Sequence, residues 1–306
     1  MNTGKKNIAI LSVFDRDTIL HLRVPFSFFL LPVFCFGISQ ASPIYLADTI
    51  ILFISLHLFI YPASNIYNSY MDKDTGSIGG LKNPPPVTSK LYYASIIFDI
   101  AGLALCSFTG WRNTLLLAGY VALSKAYSWH GIRLKKYTYV SWLTVAFCQG
   151  GYTFMLANMA AAHNAHISWF VPENIICMLV ASLLIGGSYP LTQIYQHKED
   201  SSRGDRTLSY RMGITGTFVF TSIMFAVSAG ILFYYFRTYT SLVHFFIFAI
   251  CLMPVMIYYL QWFFKTMKDK AFADFEHTML MNKISATCMV ICFMVILFTS
   301  HAPVVK

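Results

Sequence analysis

Long apolar runs alternate with short polar breaks along the whole chain, at roughly 24–41, 46–66, 92–110, 113–129, 139–160, 172–191, 214–236, 242–263 and 283–300. A helix needs roughly 20 apolar residues to cross a bilayer, so the pattern predicts an all-α membrane protein, a bundle of about nine transmembrane helices. The third and fourth runs are separated only by "TGWR". Pro25 and Pro32 fall in the first run, where neighbouring helices can satisfy the freed carbonyl groups. That run begins late and lacks a small-residue cleavage site, so it is expected to stay as the first helix rather than be removed. With no long polar linker, low-complexity tract or internal repeat, a single integral-membrane domain over residues 1–306 is expected.

Composition agrees with this pattern: 57% of the 306 residues are hydrophobic and only 11% charged. Basic residues mark the side that stays cytoplasmic, and nearly all fall in one set of breaks, leaving Arg112, Arg237 and Lys306 for the other. The N-terminus is therefore expected inside, and the net charge of +9 is largely a topology signal. Such a face also attracts anionic lipid or a diphosphate. Nucleic acid is not expected as a partner, because the bases are divided among loops. The seven cysteines lie in or beside apolar runs without a CxxC pair, so neither zinc nor a disulfide framework is indicated.

Three cytoplasmic breaks carry more than turn formers and bases. In "NIYNSYMDKDTGSIGGLKNPPP" (65–86), Asn65, Asn68 and Asp72 fall at i, i+3 and i+7 and share one helix face, with a helix end expected at Thr75-Gly76. Their oxygens are hard ligands suited to Mg²⁺, which takes one or two carboxylates and leaves its other positions to water and phosphate. A snorkelling interfacial cluster, with Lys73 paired to its neighbours, has the same look. In "YPLTQIYQHKEDSSRGDRTLSYRMG" (189–213), Gln196, Glu199 and Asp200 fall at i, i+3 and i+4 at the end of the sixth run. Two oxygen-rich helix mouths on one side read as halves of one site, where Mg²⁺ and Lys or Arg would clamp a phosphate ester. "KAYSWHGIRLKKY" (125–137) ends the fourth run with Tyr127, Arg133, Lys135 and Lys136, which alone would be an ordinary basic loop.

Together these stretches resemble the UbiA-type intramembrane prenyltransferase superfamily, whose members carry two Asp-rich motifs after helices two and six and a Tyr/Lys motif after helix four. Against the family form NDxxDxxxD, "NSYMDKDTG" supplies Asn68 and Asp72, with Ser69 and Gly76 at two usual Asp positions and Asp74 as a shifted replacement. "TQIYQHKEDSSRGDRTL" supplies Asp200, Gly204, Arg206, Thr207 and Leu208; Gln196 occupies a usual Asp position and Glu199 lies nearby. Tyr127 and Lys135 match the helix-four motif, and Arg23 before Pro25 resembles the family's Arg at the start of helix one.

The resemblance implies an Mg²⁺-dependent transfer of a prenyl group from an allylic isoprenoid diphosphate to a lipophilic acceptor. It assigns Asn68, Asp72, Asp74, Gln196, Glu199 and Asp200 to the metal. Asn68, Lys73, Arg133, Lys135, Lys198 and Arg206 fall to the diphosphate, and Asp72, Asp200 and Tyr127 to the chemistry. The loops are expected to cap a central cavity facing the cytoplasm. Aromatic faces among Tyr127, Tyr152, Tyr189 and Tyr195 would shelter an allylic cation at roughly 0.5–2 kcal/mol per contact. A terpene cyclase of the same superfamily shares every diphosphate-end feature and needs no acceptor. A transporter would keep its charged site near mid-membrane, and Asp99, inside the third run, is the one residue that keeps this reading open; a non-catalytic relative is a further alternative. Gln149 and Asn158 are expected to face the bundle interior, touching substrate or bonding a neighbouring helix.

Overall fold

The computed structural model describes residues 13–73, 75–163, 171–202 and 204–301, with side chains throughout except at 198, 202 and 301. Among the described residues, seven helices are long and apolar enough to cross a membrane: α1 (Arg16–Ser39), α2 (Leu46–Asp72), α3 (Lys90–Thr109), α6 (Pro172–Gln196), α7 (Leu208–Tyr239), α8 (Leu242–Lys268) and α9 (Phe275–Ser300). Between α3 and α6 run α4 (Trp111–Ser128) and the interrupted helix α5 (138–161). Among the described residues there is no β-strand, only an isolated bridge between Ile78 and Leu81. The chain therefore meets its backbone hydrogen-bonding demand within helices, as a hydrocarbon surrounding requires.

Successive helices pack on each other, and α9 closes back on α1. α1 and α5 also pack directly together, so they are shared by two apolar cores. One core gathers Phe36, Phe154, Phe218, Phe236 and Trp262, the other Phe34, Leu52, Leu56, Leu117 and Leu156. Gly37 makes the α1–α5 approach possible, since a Cβ there would lie 2.6 Å from the Phe154 carbonyl oxygen. The Asn158 side-chain amide donates to the Gly37 carbonyl at 3.1 Å, which fits the expectation that Asn158 bonds a neighbouring helix. Gly150 does the same for α5 against α6, its missing Cβ position lying 2.6 Å from Ala181 O. Large apolar side chains such as Ile100, Ile250 and Phe298 stand outward, on what would be the lipid face.

The helices are irregular where they meet polar partners. α1 breaks at Arg23, which takes a left-handed conformation (φ 48°) before Pro25 opens a 3₁₀ stretch, Val24–Leu30. Facing it, α2 carries a π-helical segment, Ser55–Ile60, whose His57 hydrogen-bonds the Ser27 carbonyl at 3.2 Å. A second π-helical segment in α5, Phe147–Tyr152, spans the "QGG" sequence, and Thr153 Oγ1 donates to the loosened Cys148 carbonyl at 2.9 Å. α7 bends at Gly213 (φ 67°), one residue before the apolar run read from the sequence begins.

The α2 end differs from its expected position. The helix stops at Asp72, with Lys73 in the left-handed cap (φ 53°) rather than Gly76. Gly76 lies elsewhere, packed against the Glu199 carboxylate: a Cβ there would lie 2.4 Å from a carboxylate oxygen, so any side chain would make Glu199 shift.

Candidate active site

Between α1, α2, α4, α5 and α6 lies a cavity of ≈ 260 Å³. Its polar end is built from helix ends. α2 presents Asn65, Asn68 and Asp72, the three positions that share one face, all lining the cavity. The loop after α4 brings in Lys135 from a 3₁₀ turn, Leu134–Lys136. The end of α6 adds Gln193 and Gln196, and the short helix His197–Ser202 that follows adds Asp200.

Hydrogen bonds hold this end together. Lys135 Nζ pairs with Asp72 Oδ1, both side chains 10% exposed. Asn68 Nδ2 donates to Ser128 Oγ at 2.8 Å, and Ser124 donates to Ser64 at 2.8 Å, joining α2 to α4. The Tyr127 hydroxyl shares hydrogen bonds with Tyr189 at 2.6 Å and Ser141 at 3.0 Å, joining α4, α5 and α6. Gln196 Nε2 donates to Ser77 O at 3.0 Å, and Gly76 N–H donates to Glu199 Oε1 at 3.2 Å, so the loop after α2 is drawn onto the end of α6. Arg23 pins the same loop from α1, donating to Gly79 O at 3.0 Å and Asn65 O at 2.9 Å. Its two terminal nitrogens therefore already serve carbonyl groups. Outside the membrane-spanning segments, Glu276 hydrogen-bonds Lys82 and raises its pKa, while burial lowers that of His197, which bonds Ser209 at 2.8 Å.

The cavity thus gathers Asn68, Asp72, Tyr127, Lys135, Gln196 and Asp200 of the residues picked from sequence. Four others do not line it. Lys73 is exposed at the α2 cap. Arg133 turns aside to Asp205 at 3.1 Å. Glu199 holds the Gly76 backbone, and Arg206 is exposed while its carbonyl accepts from Thr138. Asp74 and the Lys198 side chain lie outside the described residues. Of the aromatic candidates, Tyr189 and Tyr195 line the cavity, whereas Tyr152 donates to Leu116 O. Gln149 lines it too.

The sequence reading notes Asp205 among the acids after the sixth run but gives no site role to it, nor to Gln193, Ser64 or Ser124, all of them lining the cavity. Two carried a signal: Gln193 lies three residues before Gln196 on one face, and Asp205 sits inside the "GDRTL" stretch. Asp205 is folded back by its N–H donating to Asp200 O at 2.9 Å. Asp99, on which a transport reading rests, is paired with Lys125 of α4 at 2.6 Å, and Lys125 lies 4.2 Å from the centre of the Tyr67 ring.

Among the described residues no three His, Cys, Asp or Glu side chains stand close enough to cage a metal alone. The donor set nevertheless fits Mg²⁺ bound together with a phosphate: two carboxylates, Asp72 and Asp200, with the amide oxygens of Asn68 and Gln196. Charge points the same way. The described lining offers three carboxylates, Asp72, Asp200 and Asp205, against two cations, Arg23 and Lys135, and Asp205 is further paired with Arg133, so a divalent cation would help a polyanion settle beside the two remaining acids.

Solved structures share the fold. A UbiA homolog from Aeropyrum pernix K1 superposes with a TM-score of 0.68 at 15% identity, covering 89% of this chain and 98% of that one. A UbiA homolog from Archaeoglobus fulgidus bound to GPP and Mg²⁺ gives 0.65 at 18% identity, covering 92% and 99%. A structure described as digeranylgeranylglyceryl phosphate synthase in membranes gives 0.60 at 16% identity, covering 93% and 98%. No curated protein matches the sequence. The model of the UbiA prenyltransferase family matches residues 29–284, which take in most of the helices and all of the cavity lining but Arg23 and Phe26, and the chain belongs to the UbiA prenyltransferase family.

Proposed function

We propose that the protein is an Mg²⁺-dependent intramembrane prenyltransferase, moving a prenyl group from an allylic isoprenoid diphosphate to a lipophilic acceptor. A UbiA-family chain with seven helices long and apolar enough to span a bilayer is an integral, multi-pass membrane protein. The basic loops favour a cavity mouth on the cytoplasmic side. One observation carries the reading. Asn68 and Asp72 from the α2 end and Gln196 and Asp200 from the α6 end line one cavity with Lys135, although well over a hundred residues separate the two ends.

In this reading Asp72, Asp200, Asn68 and Gln196 hold the metal, and Lys135 turns from Asp72 toward the diphosphate. Bound Mg²⁺ neutralises the diphosphate and makes it a better leaving group. When the C1–O bond breaks, its electron pair leaves with the diphosphate and the allyl group becomes cationic. Lys135 stabilises the developing negative charge. The ring faces of Tyr127 and Tyr189, which also line the cavity, stabilise the positive one. The acceptor then bonds the allyl carbon and gives up its proton to the released diphosphate. Similarity to a homolog bound to GPP and Mg²⁺ supports the donor class.

The test is diphosphate release by purified protein in detergent over allylic diphosphates of increasing length, with and without Mg²⁺ and acceptor extract. Release that needs both Mg²⁺ and extract is expected. Release with Mg²⁺ alone, accompanied by a cyclised product, would make the protein a terpene cyclase; no release under any condition would remove the donor assignment.

A further inference from the structure

We infer that Tyr120 is the floor of the cavity and sets the donor's prenyl length, admitting short chains and rejecting longer ones; the inference rests on the diphosphate reading above. Three helices give the depth independently. Counting lining residues from the polar end inward, α2 runs from Asp72 to Ser64, α4 from Ser128 to Tyr120 and α5 from Ser141 to Gln149, eight residues in each case. At 1.5 Å per residue this is about 12 Å. An extended chain advances about 3.3–3.6 Å over three bonds, so an isoprene unit, four bonds along its chain, spans about 4.5–5 Å. Asp72 and Asn68, a helical turn apart, belong to the diphosphate end, so about half of this depth is left below it, room for roughly one to two units.

Below Tyr120 the way is closed by a stack of rings. Tyr120 is 4% exposed and Tyr61 3%, their ring centroids 5.9 Å apart, with the Tyr152 ring 6.3 Å from Tyr120 on another side. Tyr61 is fixed by a hydrogen bond with Thr153 at 3.3 Å and by the edge of His57 at 5.0 Å. Tyr120 itself is held differently: among the described residues its hydroxyl makes no hydrogen bond, and ring contacts alone keep it in place. Truncating it leaves no polar partner orphaned and frees space comparable to one isoprene unit. Removing Tyr61 would also break its hydrogen bond with Thr153, which makes Tyr120 the better position to test.

The experiment measures kcat/KM for Mg²⁺-dependent diphosphate release with donors of one to six isoprene units, in wild type, Tyr120→Phe and Tyr120→Ala. Binding of the unreactive thiolodiphosphate analogues is followed in parallel as a rise in melting temperature. Wild type should prefer one or two units and lose about tenfold or more beyond them, the scale on which an apolar pocket rejects excess carbon. Tyr120→Phe should keep that profile, and Tyr120→Ala should move both the kinetic and the binding optimum one unit longer. A flat profile in wild type, or the same optimum in Tyr120→Ala, overturns the inference while the diphosphate reading stands, and would mean that the tail leaves between helices. Absence of release and of analogue binding at every length removes the diphosphate reading itself.

Discussion

The Lys135 ammonium and the Asp72 carboxylate meet at the mouth of the cavity, with side chains only 10% exposed. Asp72 is held by its partner before any ligand arrives, and Lys135 is stored beside the place where a leaving diphosphate would sit. Substituting either one takes a charged partner from a nearly buried group, a loss on the scale of about 1–3 kcal/mol. Asp72→Asn should therefore reduce diphosphate release about a hundredfold or more, the scale of losing one electrostatic stabiliser, with a measurable fall in melting temperature. Asp72→Asn/Lys135→Met should regain much of the melting temperature and none of the activity. Recovery of activity in the double variant would show that the pair has only a structural role.

Asp200 and Glu199 are neighbours with different surroundings. Asp200 lines the cavity, whereas Glu199 accepts the Gly76 N–H at 3.2 Å outside it. Asp200→Asn is expected to raise the Mg²⁺ concentration for half-maximal turnover by about tenfold or more, as loss of a ligand or its support does. Glu199→Gln should leave that concentration unchanged and increase proteolytic cutting in the loop after α2, which loses a charged acceptor. A titration in which Glu199→Gln shifts and Asp200→Asn does not would reverse the two roles.

These contrasts show which parts of the site could be read without coordinates. Asn68, Asp72, Gln196 and Asp200 were legible because polar groups at the ends of apolar helices are costly unless they have work or partners, and helical spacing put each set on one face. Lys73 and Arg206, grouped with the diphosphate by the resemblance, do not line the cavity. A basic residue's charge is visible in sequence, but its direction is set by the local backbone, here a left-handed cap at Lys73. Glu199 was grouped with Asp200 by spacing, and only the fold reveals that Gly76 claims it. The helix runs were placed well by hydropathy, while the π-helical turns at Ser55–Ile60 and Phe147–Tyr152 were not. An extra residue in one turn scarcely changes an almost uniformly apolar pattern.

Helix approach at Gly150 should be intolerant of any side chain. A Cβ there would lie 2.6 Å from both Ala181 O and Ser182 Cα, backbone atoms that cannot rotate away. Gly150→Val is expected to lose about 1–3 kcal/mol or more by overpacking, seen as a lowered melting temperature in detergent. Gly230, with nothing within 4 Å of its Cβ position, is the matching control. Gly230→Ala should be neutral or slightly stabilising, since alanine is the better helix former. Equal effects at the two sites would mean that α5 and α6 do not pack this closely.

The pair Asp99–Lys125 offers the sharpest test of whether the acid inside α3 has a structural or a transport role. The two groups are 2.6 Å apart with side chains 10% and 22% exposed, and Lys125 also faces the Tyr67 ring at 4.2 Å. Removing one charge strands the other in a low-dielectric surrounding, at about 3–5 kcal/mol, whereas replacing both by apolar groups of similar size is often neutral. Asp99→Leu should thus be poorly folded, and Asp99→Leu/Lys125→Met should recover most of the melting temperature together with diphosphate release. Proteoliposomes provide the opposing readout. An ion flux present in wild type and lost in the well-folded double variant would show that Asp99 lies on a conduction path, and would place transport above prenyl transfer as the protein's activity.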